Sequence, residues 1–121
     1  MANTARNFRS YKVWQDSVAY ATYVYEVTSK MPWFEKKGLC DQLQRAAVSI
    51  PSNIAEGSGR STDAEFCHFL DISLGSANEV ETQLLISKNL QSISEDNYQT
   101  LLEKLTGIQK QLTGLIASIR H

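Results

Sequence analysis

Apolar residues in this chain recur every three or four positions and almost never alternate, a pattern that predicts helices and leaves little room for strands. In the last segment Tyr98, Leu101, Leu102, Leu105, Ile108, Leu112, Leu115, Ile116 and Ile119 fall on one face at about 100° per residue. Glu103, Thr106 and Lys110 point away, and Ser94 ahead of Glu95 and Asp96 predicts the N-cap. The segment before it starts with Thr62 and Glu65 at capping-box spacing and continues with Phe66, Phe69, Leu70, Ser73, Ala77, Val80 and Leu84 within an arc of about 120°. Gly75 lies on the opposite side, where it costs roughly 1 kcal/mol of helix propensity and is expected to admit another helix closely.

The first segment carries two apolar stripes. Trp14, Val18, Ala21 and Tyr25 form one, and Val13, Tyr20, Val24, Val27 and Met31 form another, rotated by about 100°. A helix packed only into its own bundle needs one stripe, so the second is covered either by a neighbouring segment or by another copy of the protein. In the second segment, from about Glu35, the face Leu39, Leu43, Ala46, Ile50, Ile54 and Gly57 keeps its phase through Pro51. An interior proline removes one backbone hydrogen bond and clashes with the carbonyl four residues back, so a single kinked helix is expected. Short connections at MPWF, GSGRST and LQSIS then favour antiparallel neighbours. The expected fold is one all-α domain over residues 1–121, an antiparallel up-down-up-down four-helix bundle with its second helix kinked at Pro51.

Composition is consistent with that picture. The 121 residues are 42% hydrophobic and 21% charged, enough for one core and too apolar for a disordered chain. No apolar run reaches the roughly 18 residues of a membrane span, and the start MANTARNFRSYKVW lacks a secretory apolar segment, so the expected setting is the cytoplasm, away from membranes. Net charge is −1, distributed as eight Lys/Arg against five Asp/Glu up to residue 60 and four against eight beyond it. The amino-terminal half therefore offers at most a local basic patch.

Motifs for chemistry are sparse. Gly57, Ser58 and Gly59 before Arg60 resemble a phosphate loop only superficially, because they follow a helix where such loops follow a strand. They read as a left-handed helix stop and turn. Cys40 and Cys67 have no ligand spacing and read as small buried or half-buried thiols. Glu65 and His68 make a single ExxH where a di-iron bundle needs two, and the other histidine is His121 at the end of the chain. No nucleophile stands at a recognisable spacing from a base, so neither catalysis nor a metal or other cofactor is expected.

Two polar constellations remain. Gln42, Arg45, Ser49, Asn53, Glu56 and Arg60 recur at intervals of three or four beside the apolar face of the second segment. This row is either a solvated flank or a hydrogen-bonded seam between helices or subunits, with Glu79 or Glu81 as the partner of Arg45. The other is basic and aromatic: Arg6, Arg9, Lys12, Lys36 and Lys37, interleaved with Tyr11, Trp14, Trp33 and Phe34, form a candidate nucleic-acid patch at one end of the bundle. The same aromatics also serve ordinary core and end-covering roles.

Three stretches, VWQDSVAYATYVYEVT, LCDQLQRAAVSIPSNIAEGSGRS and EFCHFLDISLGSANEVETQLLIS, together resemble the bacterial four-helix bundle proteins encoded within intervening sequences of 23S rRNA genes. The likeness runs from about Phe8 to Leu90, and the last helix matches in pattern alone. It implies a cytoplasmic bacterial homopentamer of no established biochemical role. A similar bundle, the accessory protein of diversity-generating retroelements, is a basic pentamer that binds nucleic acid and a reverse transcriptase; this chain departs from it in being near neutral. The functional expectation is thus a non-enzymatic oligomeric scaffold, with RNA or DNA binding through the basic patch as the alternative.

Overall fold

The computed structural model describes residues 6–120; residues 1–5 and His121 lie outside the described residues. Four helices account for most of the chain: α1 (Lys12–Thr28), α2 (Asp41–Ser58), α3 (Asp63–Asn89) and α4 (Glu95–Ile119). There is no strand among the described residues. Each helix packs on its neighbours in sequence, and α4 closes back on α1. The cross-helix pairs give the directions. Between α2 and α3 they run Gln42 to Gln83, Ser49 to Ser76 and Ile50 to Ser73, rising along one helix and falling along the other. Between α3 and α4, Glu81 meets Gln109 and Asp71 meets Arg120. Between α1 and α4, Asp16 meets Gln111 and the phenol of Tyr20 donates to the Leu101 carbonyl. All three pairs are antiparallel.

The caps are those the sequence spells. Thr62 Oγ1 accepts from the Glu65 N–H at 3.1 Å, and Ser94 Oγ accepts from the Asn97 N–H at 3.0 Å, each relieving an orphan donor of a first helical turn. At its other end α3 closes with the Gln91 N–H on the Lys88 carbonyl and the Ser92 N–H on the Ser87 carbonyl. That double closure puts Gln91 at φ 59°, a left-handed position.

Three local expectations need correction. The second helix begins at Asp41, six residues after Glu35, because the backbone of Gly38 is non-helical at φ −104° and ψ −108°; Trp33–Glu35 and Lys36–Cys40 form a 3-10 turn and a π turn instead. Gly57 and Gly59 are not left-handed, since no glycine has positive φ. The helix runs unbroken through Pro51 to Ser58, and Gly57 lies inside it where a Cβ would stand 2.6 Å from Phe69 Cβ, so this glycine is what lets α2 approach α3. Gly75 is the reverse case: it is exposed, with nothing within 4 Å of an added Cβ, and no helix comes close.

The core is made by the second stripe of α1 (Val13, Tyr20, Val24, Val27) with Leu43, Ile50, Ile54, Phe66, Leu70, Val80, Leu84 and the Leu101-to-Ile116 face of α4, all buried. Full burial of one such side chain contributes roughly 1.5–3 kcal/mol, so this cluster, more than any ion pair, holds the helices together. Cys40 and Cys67 are buried free thiols.

Candidate interaction surface

The flank of α2 beside its core face meets α3 through small polar groups. Ser49 Oγ and Ser76 Oγ lie 2.8 Å apart, Asn53 Nδ2 donates to the Ser49 carbonyl and hydroxyl at 2.8 and 2.9 Å, and Ser73 donates to the Ile50 carbonyl at 2.8 Å. At the far end of the row Gln83 Nε2 lies 3.5 Å from Gln42 Oε1. Gln83 is only 6% exposed, and its Oε1 has no hydrogen-bond partner among the described residues. Gln42 and Ser49 therefore belong to an interhelical contact, and Asn53 braces Ser49 from within α2.

The charged members of the row do not. Arg45 is 79% exposed and donates through Nε to Asp41 one turn earlier at 2.9 Å, so neither Glu79 nor Glu81 is its partner. The reason is proximity: Asp41 and Arg45 sit at (i, i+4) on one helix face, and meeting there requires no helix to bring a second charge across. Glu56 pairs with Arg60 in the same way at 2.8 Å. Glu81 turns to α4 and accepts from Gln109 Nε2 at 2.9 Å, and Glu79 is exposed. Spacing on α2 gave its half of the contact; Ser76 and Gln83 were missed, although their separation of seven residues on α3 matches that of Gln42 and Ser49 on α2.

The basic patch divides. Arg6, Arg9 and Lys12 stand at the start of α1, whereas Lys36 and Lys37 follow its end; α1 is 17 residues long, about 25 Å at 1.5 Å per residue. They occupy opposite ends of the bundle. At the first end the charges are engaged: Arg6 donates to Asp63 and to the Arg60 carbonyl while stacking on Phe66 at 4.7 Å, Arg9 covers Phe8 at 4.5 Å, and Lys12 binds Asp16 at 2.6 Å. At the second end Lys36 donates to the Ser29 carbonyl at 2.7 Å and Lys37 is exposed. Trp33 is 83% exposed there, with Phe34 beside it edge-to-face at 6.0 Å. Glu35 accepts from Ser92 at 2.9 Å, which ties this turn to the α3–α4 connection.

A cleft of about 650 Å³ lies between α1 and α4, walled by Tyr20, Tyr23, Ala19 and Gly107 and rimmed by Lys12, Asp16, Glu103 and Lys104. Hydrogen bonds from Lys12 and Gln111 hold the Asp16 carboxyl below the usual carboxylate range, and burial pushes the Tyr20 phenol up. No nucleophile–base pair lines this cleft. His68 is exposed and packs edge-on to Phe69 at 5.6 Å. Among the described residues no three His, Cys, Asp or Glu side chains gather as a metal site, and no helix is long and apolar enough to cross a membrane.

The chain is similar to a crystal structure of a protein of unknown function from the S23 ribosomal protein family of Bacteroides thetaiotaomicron. The two share 26% identity and superpose with a TM-score of 0.81 over 87% of this chain and 95% of the other. No curated protein matches. The family model for 23S rRNA-intervening sequence proteins matches residues 9–114, from the turn before α1 to the last turns of α4. That match spans all four helices, and the chain belongs to the 23S rRNA-intervening sequence protein family.

Proposed function

We propose that this protein is a non-enzymatic, oligomeric helical-bundle scaffold whose role is to present interaction surfaces, with the homopentamer that the family resemblance implies as its expected assembly. The observation that carries this reading is the first stripe of α1. The other stripe is buried in the core; of the first, Ala21 is buried and Trp14 packs against the core, whereas Val18 and Tyr25 stand 40% and 46% exposed. Apolar side chains at helical spacing on a face the bundle does not cover are what an interface between subunits requires. The sparse catalytic inventory and the contact between α2 and α3 support the same reading. Light scattering at micromolar concentration should give a mass several times that of one chain; a clean monomer would sink the proposal.

A second reading, nucleic-acid binding, rests on the exposed Trp33 and Phe34 beside Lys36 and Lys37. Exposed rings can stack on bases while lysines meet phosphates, and a ring of subunits would repeat the weak site. Its test is a salt titration with single-stranded RNA: affinity should fall as salt rises and be lost on reversing the charges of Lys36 and Lys37. Reversal of Arg9 and Lys12, at the other end, should change it less.

A further inference from the structure

The cleft between α1 and α4 is lined by side chains of the bundle and filled by none of them. Its volume of about 650 Å³ lies within the range that small-molecule sites occupy. Its walls include the two smallest side chains available, Ala19 on α1 and Gly107 on α4, and a Cβ added to Gly107 would meet nothing within 4 Å. A glycine inside a helix costs about 0.5–1 kcal/mol, and here, unlike at Gly57, no close approach of a neighbouring helix offsets it. What it leaves is room. Tyr20 and Ile108, each 2% exposed, form the floor of that space, and the half-buried Tyr23 stands beside them.

The rim carries two cations and two carboxylates, and they are not equivalent. At one end Asp16 accepts from Lys12 Nζ at 2.6 Å and from Gln111 Nε2 at 2.9 Å, a set that satisfies itself. From Lys12 to Tyr23, α1 rises about 16 Å, so the other end is a separate place. There Lys104 Nζ stands 5.8 Å from the centroid of the Tyr23 ring and forms no ion pair among the described residues. Glu103, its neighbour on α4, forms none either.

We propose that this end of the cleft binds a small aromatic zwitterion, its ring against Tyr23 over the floor of Tyr20 and Ile108, its carboxylate at Lys104 and its ammonium at Glu103. The ring follows from the tyrosine wall, which favours offset or edge-on contact with another π system. Both charges follow from the rim. Lys104 and Glu103 are unpaired and opposite in sign, and the four rim charges cancel, so the cleft exerts no net attraction on a purely anionic or purely cationic molecule. A free aromatic amino acid is the simplest molecule that carries all three groups. The site is complete within one chain, so it does not depend on the assembly proposed above.

The test is a titration of the full chain with L-tryptophan, followed by the backbone amide NMR shifts of α1 and α4. Saturable shifts at Tyr23, Lys104 and Gly107 are expected, with a Kd of about 1 mM or tighter; a flat titration overturns the site. Gly107→Leu puts a side chain into the open space and should weaken binding roughly 10-fold or more. Gly114→Leu makes the same change at an equally open glycine away from the cleft and should leave binding unchanged. Gly107→Met replaces the leucine variant if that one does not fold, and wild-type affinity in the folded Gly107 variant overturns the location. Tryptamine lacks the carboxylate and N-acetyl-L-tryptophan lacks the ammonium, so each should bind about fivefold more weakly than L-tryptophan. Lys104→Gln should abolish the preference over tryptamine, and Glu103→Gln the preference over N-acetyl-L-tryptophan. Equal affinity for the three ligands, or preferences that survive these substitutions, overturns the assignment of the charges.

Discussion

Gly57 and Gly75 are indistinguishable by residue type, and their surroundings assign them opposite effects. A methyl group on Gly57 would meet Phe69 Cβ at 2.6 Å and Phe66 Cδ1 at 3.1 Å, so Gly57→Ala must push α2 from α3. Overpacking of this kind costs about 1–3 kcal/mol, more than the 0.5–1 kcal/mol that helix propensity returns. Gly75→Ala meets nothing and should stabilise by about 0.5–1 kcal/mol. Urea unfolding of the two variants should therefore move in opposite directions from wild type. Sequence alone placed both glycines on helix faces but reversed their roles, because closeness of approach is set by the neighbouring helix. The same limit explains Arg45. Its position on the flank of α2 was legible, but its choice of Asp41 over Glu79 or Glu81 depended on which charge was already within reach.

Among the elements, α3 and α4 were legible almost to the residue, because Thr62 and Ser94 cap them as their side chains predict and their apolar periods are long. The start of α2 was not. The apolar phase of Leu39 continues into Leu43, so periodicity cannot see the non-helical backbone at Gly38 that delays the helix to Asp41. The end of α3 offers a second test of local backbone chemistry. Gln91 occupies a left-handed position that a residue with a Cβ pays for, and the closure around it requires that conformation. Gln91→Gly should raise stability by about 0.5–1 kcal/mol with the same fold, measured by thermal or urea unfolding; a loss of stability would mean that the side chain itself holds the connection. At the start of α1 the dependence is on acid. Asp16 is held below its ordinary value of 3.8 by Lys12 and Gln111, so its contribution is present above that value and is lost as pH falls through the lower folded one. Asp16→Asn should leave a flatter stability profile below about pH 4 than wild type, a small effect because Asp16 is partly solvated.

At the scale of the whole molecule, the four interfaces of the bundle are unequal. The pair α2–α3 is drawn together by Gly57, by the Ser49–Ser76 contact and by the buried bond from Ser73 to the Ile50 carbonyl. The pair α1–α4 is the most sparsely packed of the neighbours and is split by the cleft beside Tyr20 and Gly107. One of its few links is the buried hydrogen bond from the Tyr20 phenol to the Leu101 carbonyl, at 3.0 Å. Opening of a bundle begins where buried contacts are fewest, so α1 should release before α2 and α3. Tyr20→Phe keeps the ring in the core and removes only that bond, at a cost of about 1 kcal/mol. If α1 is the weak edge, the substitution should speed hydrogen exchange of the α1 amides about fivefold, the factor that such a free energy represents, while the slowest amides of α2 and α3 change less. Equal acceleration in all four helices would show instead that the bundle opens as one unit and that the cleft marks no boundary in its stability. The distinction bears on function, because a separable α1 would move the exposed Val18 and Tyr25 on which assembly is proposed to depend.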